Sequence, residues 1–402
     1  MHTTMVRPLA IGALFGALLV LHATDVYAQT QAEFFNEQVL HEVRLFVNSR
    51  DYRLLRDRYQ ENIYVPADMV WKGLRVRNVG VRTRGTGSRN PTKLGLRVDF
   101  NRYTKKQQFL GLNSLILDNL WQDASLIREA LAMSIYRRMG HPAPREAFAR
   151  LYINNQYQGL YALVEPVDPV FLQRTIGENS GYLFEYHWVM PFYTEYLGDG
   201  LGPYRILFQP QNHELEAESL LYGPIRDLFR EINEPDDAVW RTRVDERIDL
   251  AQFMTHAAIQ GFLAQNDGLL GYAGLNNFYL YRFAGTNRHR LFPWDEDYAF
   301  TFIGSSLFRR GEQPVVLFER AFAEPDLRTV FLDAAEACAR AITESGWLSA
   351  EIDRLVALIG SSVFEDTRKQ YSNDDFLAGV DFLRAFAASR TEQVLAEVAV
   401  YR

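Results

Sequence analysis

Residues 266–300 read N-D-G-L-L-G-Y-A-G-L-N-N-F-Y-L-Y-R-F-A-G-T-N-R-H-R-L-F-P-W-D-E-D-Y-A-F. Two apolar, aromatic runs, 278–283 and 290–294, flank the polar G-T-N-R at 285–288. That pattern predicts a β-hairpin. Asp267 stands upstream of the first run, Asn276 and Asn277 at its mouth, and Asp295 and Asp297 just past the second. A hairpin brings its outer ends together, so Asn277 and Asp295 should be neighbours in space. The converging ligands are all oxygens, which suits a hard cation such as Mg²⁺ or Mn²⁺ shared with phosphate. Each residue also has an ordinary use. Asp267-Gly268 is a good turn, Asn276-Asn277 can start a strand through side-chain-to-backbone bonds, and the two later aspartates can be solvated exits. What favours a site is the company of Pro293, Trp294, Tyr298 and Phe300, because charge in apolar surroundings is costly unless paired or metal-bound.

Upstream, residues 1–28 have the pattern of a secretory signal. Arg7 precedes a 13-residue apolar run, Leu9 to Leu21, and Val26-Tyr27-Ala28 offers a small-residue cleavage site. The run is shorter than the roughly 20 residues that span a bilayer, and no second such run follows. The expected address is secreted, periplasmic or cell envelope, with no integral membrane segment after cleavage. A net charge of −7 gives no basic face for nucleic acid, although Arg82, Arg84, Arg89, Lys93 and Arg97 cluster locally and could meet an anion. A single cysteine, Cys338, excludes an internal disulfide or thiolate metal site and reads as a buried small apolar residue.

The front half is strand-rich. Strands are predicted at 39–47, 64–84 with a slip at Asn78, 94–100, 148–153 and 159–165, with a short charged helix at 50–59. G-T-G-S at 85–88 forms a Gly-rich turn between two strands, able to drape amides over phosphate but lacking the P-loop and Rossmann fingerprints. The clearest helix runs from Ser125 to Met139, capped by Asp123 or Ser125 and ended by Gly140. Beyond Glu165-Pro166, helices dominate: 168–175, 214–232, 250–265, 324–345, 348–361 and 374–398. A strand at 181–187 and a long loop at 187–204 interrupt them.

Taken in order, these parts are a Gly-rich cover, Lys93, a helix carrying Glu129, a strand ending at Glu165, then Asp267, Asn277 and Asp295. That is the order of working parts in protein-kinase-like folds, without their H-R-D and D-F-G signatures. The chain resembles the CotH kinase family. The resemblance rests on R-T-R-G-T-G-S at 82–88, L-D-N-L-W-Q-D-A-S-L-I-R-E-A-L at 117–131 and R-M-G-H-P-A-P-R at 138–145. It continues through L-Y-I-N-N-Q-Y-Q-G-L-Y-A-L-V-E at 151–165, N-N-F-Y-L-Y at 276–281 and P-W-D-E-D-Y-A-F at 293–300. It covers residues 79–300. It implies an α+β, bilobal, atypical protein-kinase-like fold, with a strand-rich N-lobe at 29–165 and a mainly helical C-lobe at 166–402.

The same resemblance implies ATP, Mg²⁺ or Mn²⁺, and transfer of the γ-phosphoryl group to a protein hydroxyl. Asp267 would orient or deprotonate the acceptor. Asp295, Asn277 and Asp297 would hold metal. Lys93 would steer phosphate and pair with Glu129, Arg84 and Arg128 are further phosphate contacts, and Glu165 would lie at the hinge beside adenine. Thr92-Lys93 followed by Leu94-Gly95 departs from the paired lysines expected there. Two other uses of the cleft stay open. One is an exported binding or envelope-assembly protein with weak or no catalysis, and the other is nucleotidyl transfer.

Overall fold

The computed structural model describes residues 29–308, 311 and 313–402; the leader expected at residues 1–28 lies outside them. Seven strands form the front of the molecule: β1 (His41–Val47), β2 (Val65–Trp71), β3 (Leu74–Thr83), β4 (Leu96–Asp99), β5 (Ser114–Asp118), β6 (Glu146–Ile153) and β7 (Gln156–Val164). They close into a barrel in the order β1-β2-β3-β4-β5-β7-β6, in which only the β1–β6 pair is parallel. Alternation sends Val43, Leu45, Val79, Val81, Leu96, Val98, Leu151 and Leu163 into one buried cluster. Closure leaves the sheet without a free edge. Two-residue turns with left-handed residues, Lys72-Gly73 and Asn154-Asn155, join β2 to β3 and β6 to β7. The slip expected at Asn78 is a bulge: Ala67 faces Val79 but Met69 faces Val76, and Asn78 has φ 55°.

Four helices accompany the barrel. They are α1 (Gln31–Phe34), α2 (Ser49–Asp57), α3 (Arg128–Arg138) and α4 (Pro169–Ile176). α3 begins three residues later than the sequence suggests. Asp123 accepts from the amides of Ser125 and Arg128, both at 2.8 Å, and so folds Ser125–Ile127 into a turn ahead of the helix.

A second sheet, of order β11-β10-β8-β9, carries the predicted hairpin. Its strands are β8 (Tyr182–Tyr186), β9 (Phe208–Pro210), β10 (Phe278–Arg282) and β11 (His289–Pro293). Around it pack α5 (Gly202–Leu207), α6 (Glu218–Ile232), α7 (Asp237–Asp245), α8 (Leu250–Leu263), α9 (Val316–Ala323), α10 (Pro325–Cys338, continued by a π-helical turn to Glu344), α11 (Trp347–Glu365) and α12 (Asn373–Tyr401). Their apolar faces share one large core that includes Cys338, whose thiol is pushed up to about 12 by burial. α1, β5, β9, α5, α7 and α9 are elements that the sequence did not mark, and α5 begins inside the loop expected at 187–204. The chain is α+β. Among the described residues no helix is long and apolar enough to cross a membrane.

Candidate active site

The hairpin ends meet as expected. Phe278 pairs with Pro293, and the Trp294 amide donates to the Asn277 carbonyl at 3.2 Å. Immediately beyond, both chains turn left-handed: Asn277 has φ 58° and Asp295 φ 51°. Asn and Asp tolerate this conformation better than other side chains, and such outliers concentrate at functional sites.

Asp267 reaches the same place from the other direction. α8 ends at Ala264 in a left-handed cap, and the loop after it folds tightly against α8 itself. A Cβ on Gly268 would lie 2.5 Å from the Gln260 side chain, so only glycine fits beside the aspartate. The Asp267 carboxylate accepts from Asn276 Nδ2 at 3.0 Å and Asn277 Nδ2 at 3.2 Å, and its carbonyl accepts from Asn277 Nδ2 at 2.8 Å. Burial raises the Asp267 pKa, and these two amides pull it partly back. Because the Asn277 nitrogen is committed to Asp267, its Oδ1 is the atom left to act as a ligand.

Glu296 explains how two aspartates can face one cleft. It is buried, and its carboxylate accepts from Gln260 at 2.9 Å, Gln265 at 2.7 Å and the Tyr136 hydroxyl at 3.1 Å. With the middle residue of D-E-D tied into the core, Asp295 and Asp297 on either side both line the cleft. Burial pushes Glu296 up to about 7 against the pull of those three donors.

The cleft has a volume of about 490 Å³ and two unlike walls. The barrel contributes Arg82, Arg84, Arg89 and Arg97 with the Gly85–Ser88 turn; the hairpin and its neighbours contribute Glu185, Asp267, Asp295 and Asp297. Arg84 bridges the walls. Its Nη1 bonds Asp118 at 2.8 Å, and its guanidinium lies 5.8 Å from the Trp294 ring centre. A recess of about 20 Å³ continues inward past Asp118, Asp123 and Glu129. Asp295 is pushed up to about 6, first by burial and then by Asp118, Asp267 and Glu185, against the opposing charge of Arg84. Asp297 and Glu129 are raised well above the usual carboxylate range, chiefly by burial, with Asp295 adding to both. Among the described residues no three Asp, Glu, His or Cys side chains already stand close enough to hold a metal. The donor set nonetheless fits one: crowded hard-oxygen carboxylates with raised pKa values are what a divalent cation would relieve.

Six of the predicted site residues therefore come together: Arg84, Glu129, Asp267, Asn277, Asp295 and Asp297. Three do not line the cleft. Lys93 is fully buried and pairs with Asp366 at 2.7 Å, not with Glu129, and its Nζ lies over the Tyr161 ring. Lys93 and Leu94 lie in irregular chain ahead of β4, where both side chains are buried and Lys93 is drawn to Asp366, while Arg97 on β4 lines the cleft. Arg128 is held by Asp123 at 3.4 Å. Glu165 is buried between Arg145 at 2.7 Å and Arg174 at 2.5 Å, so its carboxylate is consumed by two ion pairs at the β7–α4 junction. Asn276, noted at the hairpin mouth, lines the cleft as well, and Glu185 and Tyr279 do so without having been singled out. Glu185 and Tyr279 face each other on paired strands, a register that only the sheet reveals.

The CotH kinase protein family matches residues 81–394, and the chain belongs to that family. Inner spore coat protein H of Bacillus subtilis (strain 168) is 24% identical over 273 residues, which are 65% of this chain and 69% of that protein. Among solved structures, HipA from Shewanella oneidensis MR-1, in complex with HipB and operator DNA, aligns with a TM-score of 0.36 and 13% identity. That alignment covers 75% of this chain and 64% of the other. The Helicobacter pylori proinflammatory kinase CtkA aligns with a TM-score of 0.34 and 10% identity over 77% of this chain and 94% of its own.

Proposed function

We propose that this chain is an exported, metal-dependent protein kinase that moves the γ-phosphoryl group of ATP to a protein hydroxyl. The observation that carries the reading is the charge division of the cleft. Arginines and a Gly-rich turn face carboxylates across a space of about 490 Å³, an arrangement suited to a polyanion and its counter-cation. Family membership and the name of the Bacillus subtilis relative support a kinase-like fold and an envelope setting.

Asp295, Asp297 and the Asn277 amide oxygen would hold the divalent ion, which when bound neutralises triphosphate charge. Arg84 and the amides of Gly85–Ser88 would grip phosphate oxygens. Asp267, its pKa raised by burial, would accept the proton of the acceptor hydroxyl as that oxygen attacks phosphorus. The amides of Asn276 and Asn277 fix its carboxylate for that purpose. Charge neutralisation and positioning supply most of the acceleration in such reactions.

The test uses the secreted-length protein, Mn²⁺ and ATP labelled at either the α or the γ phosphate. Label from γ on protein, absent in Asp267→Ala, is the expected result. Label from α instead would make the protein a nucleotidyltransferase. No label from either, with no nucleotide-dependent rise in melting temperature, would leave the cleft a binding site of another kind.

A further inference from the structure

The Gly-rich turn is the mobile cover in folds that bind nucleotide this way, yet here its trailing arm is tied to a distant part of the chain. Asp366, at the end of α11, is buried, and its carboxylate accepts from four donors. Oδ2 takes Lys93 Nζ at 2.7 Å and the Leu160 amide at 3.0 Å, while Oδ1 takes the Arg368 amide at 2.9 Å and the Lys369 amide at 3.1 Å. Lys93 and Asp366 are 273 residues apart, and both side chains are 0% exposed. The approach is built for this contact. Gly159 has φ 120°, and a Cβ there would lie 2.4 Å from Asp366 Oδ2.

The segment after Asp366 makes two more ties. Arg368 Nη1 donates to the Thr92 carbonyl at 3.2 Å, and the Tyr371 hydroxyl donates to the Gln122 carbonyl at 3.4 Å. Gln122 in turn lies under Gly87, where a Cβ would be 3.5 Å from its amide. Within the loop, Asn119 Nδ2 holds the carbonyls of Ser88 at 2.9 Å and Lys93 at 2.8 Å. The Arg84 amide donates to the Gly95 carbonyl at 2.9 Å, joining the two arms. A continuous path therefore runs from Asp366 through Lys93 and Gly95 to Arg84 in the cleft.

We propose that residues 366–371 are a brace that sets the position of the 84–95 loop over the cleft, with Lys93 a positioning residue rather than a phosphate ligand. A buried ion pair is a poor source of net stability compared with apolar packing. It does specify one partner and one register, and here it joins the C-terminal helices to the loop bearing Arg84. The family match extends to residue 394 and so includes the brace.

The inference rests on the nucleotide reading above, and its test separates the two. Lys93→Met/Asp366→Asn removes both charges together, so neither is left buried alone. Arg368→Ala removes a partly exposed tie and keeps the buried pair. With ATP and Mn²⁺, the double variant is expected to raise KM for ATP about tenfold with kcat preserved, as when the braced loop is populated about a tenth of the time. Arg368→Ala should show the same split at about threefold. Limited proteolysis should cut faster near Thr86–Gly87, the exposed tip, in both variants. Wild-type KM and wild-type cutting in both variants would overturn the brace. Should the double variant not fold, Arg368→Ala decides alone by the same two readouts. Should the wild type neither bind nor turn over ATP, the kinase reading fails separately, and unchanged cutting of the 84–95 loop would still overturn the brace.

Discussion

The two walls of the cleft solve opposite electrostatic problems. On the barrel wall, Arg82 and Arg97 project from the closed sheet and Arg84 and Arg89 from the loop that follows β3. Arg89 bonds Gly85, Tyr59 and Asn62, and Arg82 bonds Tyr64, Asn62 and Thr83. On the hairpin wall the carboxylates have few cationic partners. Arg84 is the cation that lowers Asp295, and burial and neighbouring acids act against it. The difference teaches where a ligand's charge must go: the barrel wall brings fixed cations, with Arg84 and Arg97 each bonded once, and the hairpin wall is unsettled, left in want of positive charge.

Removing a carboxylate from the unsettled wall should have the largest effect. Asp295→Ala is expected to abolish both transfer and the Mn²⁺-dependent rise in melting temperature with ATP, because the proposed ion site would lose a carboxylate; calorimetry and labelled-ATP transfer read the two losses. Asp267→Ala should cut transfer by about 10²- to 10⁴-fold while the ATP·Mn²⁺ melting shift survives, the mark of a proton acceptor and not a metal ligand. If both variants lose both properties equally, the division of labour on this wall is wrong. On the barrel wall, Arg84→Ala should raise KM for ATP by roughly tenfold to a hundredfold, the range of a lost charge-assisted hydrogen bond, in steady-state assays.

The smallest expected effect lies on the barrel side, at Glu146 on β6. It is buried, neither carboxylate oxygen has a hydrogen-bond partner among the described residues, and burial pushes it up to about 8, opposed by Arg137 and aided by Asp118, Glu37 and Asp295. A carboxyl raised in the folded state contributes stability that is complete below the ordinary carboxylate range and is lost as pH climbs through about 8. Glu146→Gln should therefore melt a few degrees above wild type at pH 9 and close to it at pH 4.5, in thermal scans at the two pH values. Equal melting differences at both pH values would mean that Glu146 does not hold its proton in the folded state.

Much of the hairpin wall was legible from the residues alone. Alternating aromatic runs around G-T-N-R imply a hairpin, and a hairpin obliges Asn277 and Asp295 to meet, whatever lies elsewhere. Asp267 was legible as a candidate from its place just ahead of the hairpin and from the kinase-like order of parts. The barrel wall was harder. Arg84 and Arg97 stood in a visible basic cluster, but so did Lys93, and composition could not tell which would face the cleft. Glu165 ended a strand in a hinge-like position, yet Arg145 and Arg174 close on it from two elements to make it structural. β5 escaped notice because Ser114–Asp118 is five residues long with four buried, leaving no alternation to read.

The sequence by itself determined most of the longer elements, the hairpin with its acids and amides, and the family, because these rest on local periodicity and on motifs whose order the chain preserves. Only the tertiary structure decided which cation serves the cleft. That choice depends on Asp366, 273 residues from Lys93, arriving in a gap left by Gly159 and claiming the lysine for the interior. A buried charge goes to whichever opposite charge can reach it, and reach is a property of the folded chain.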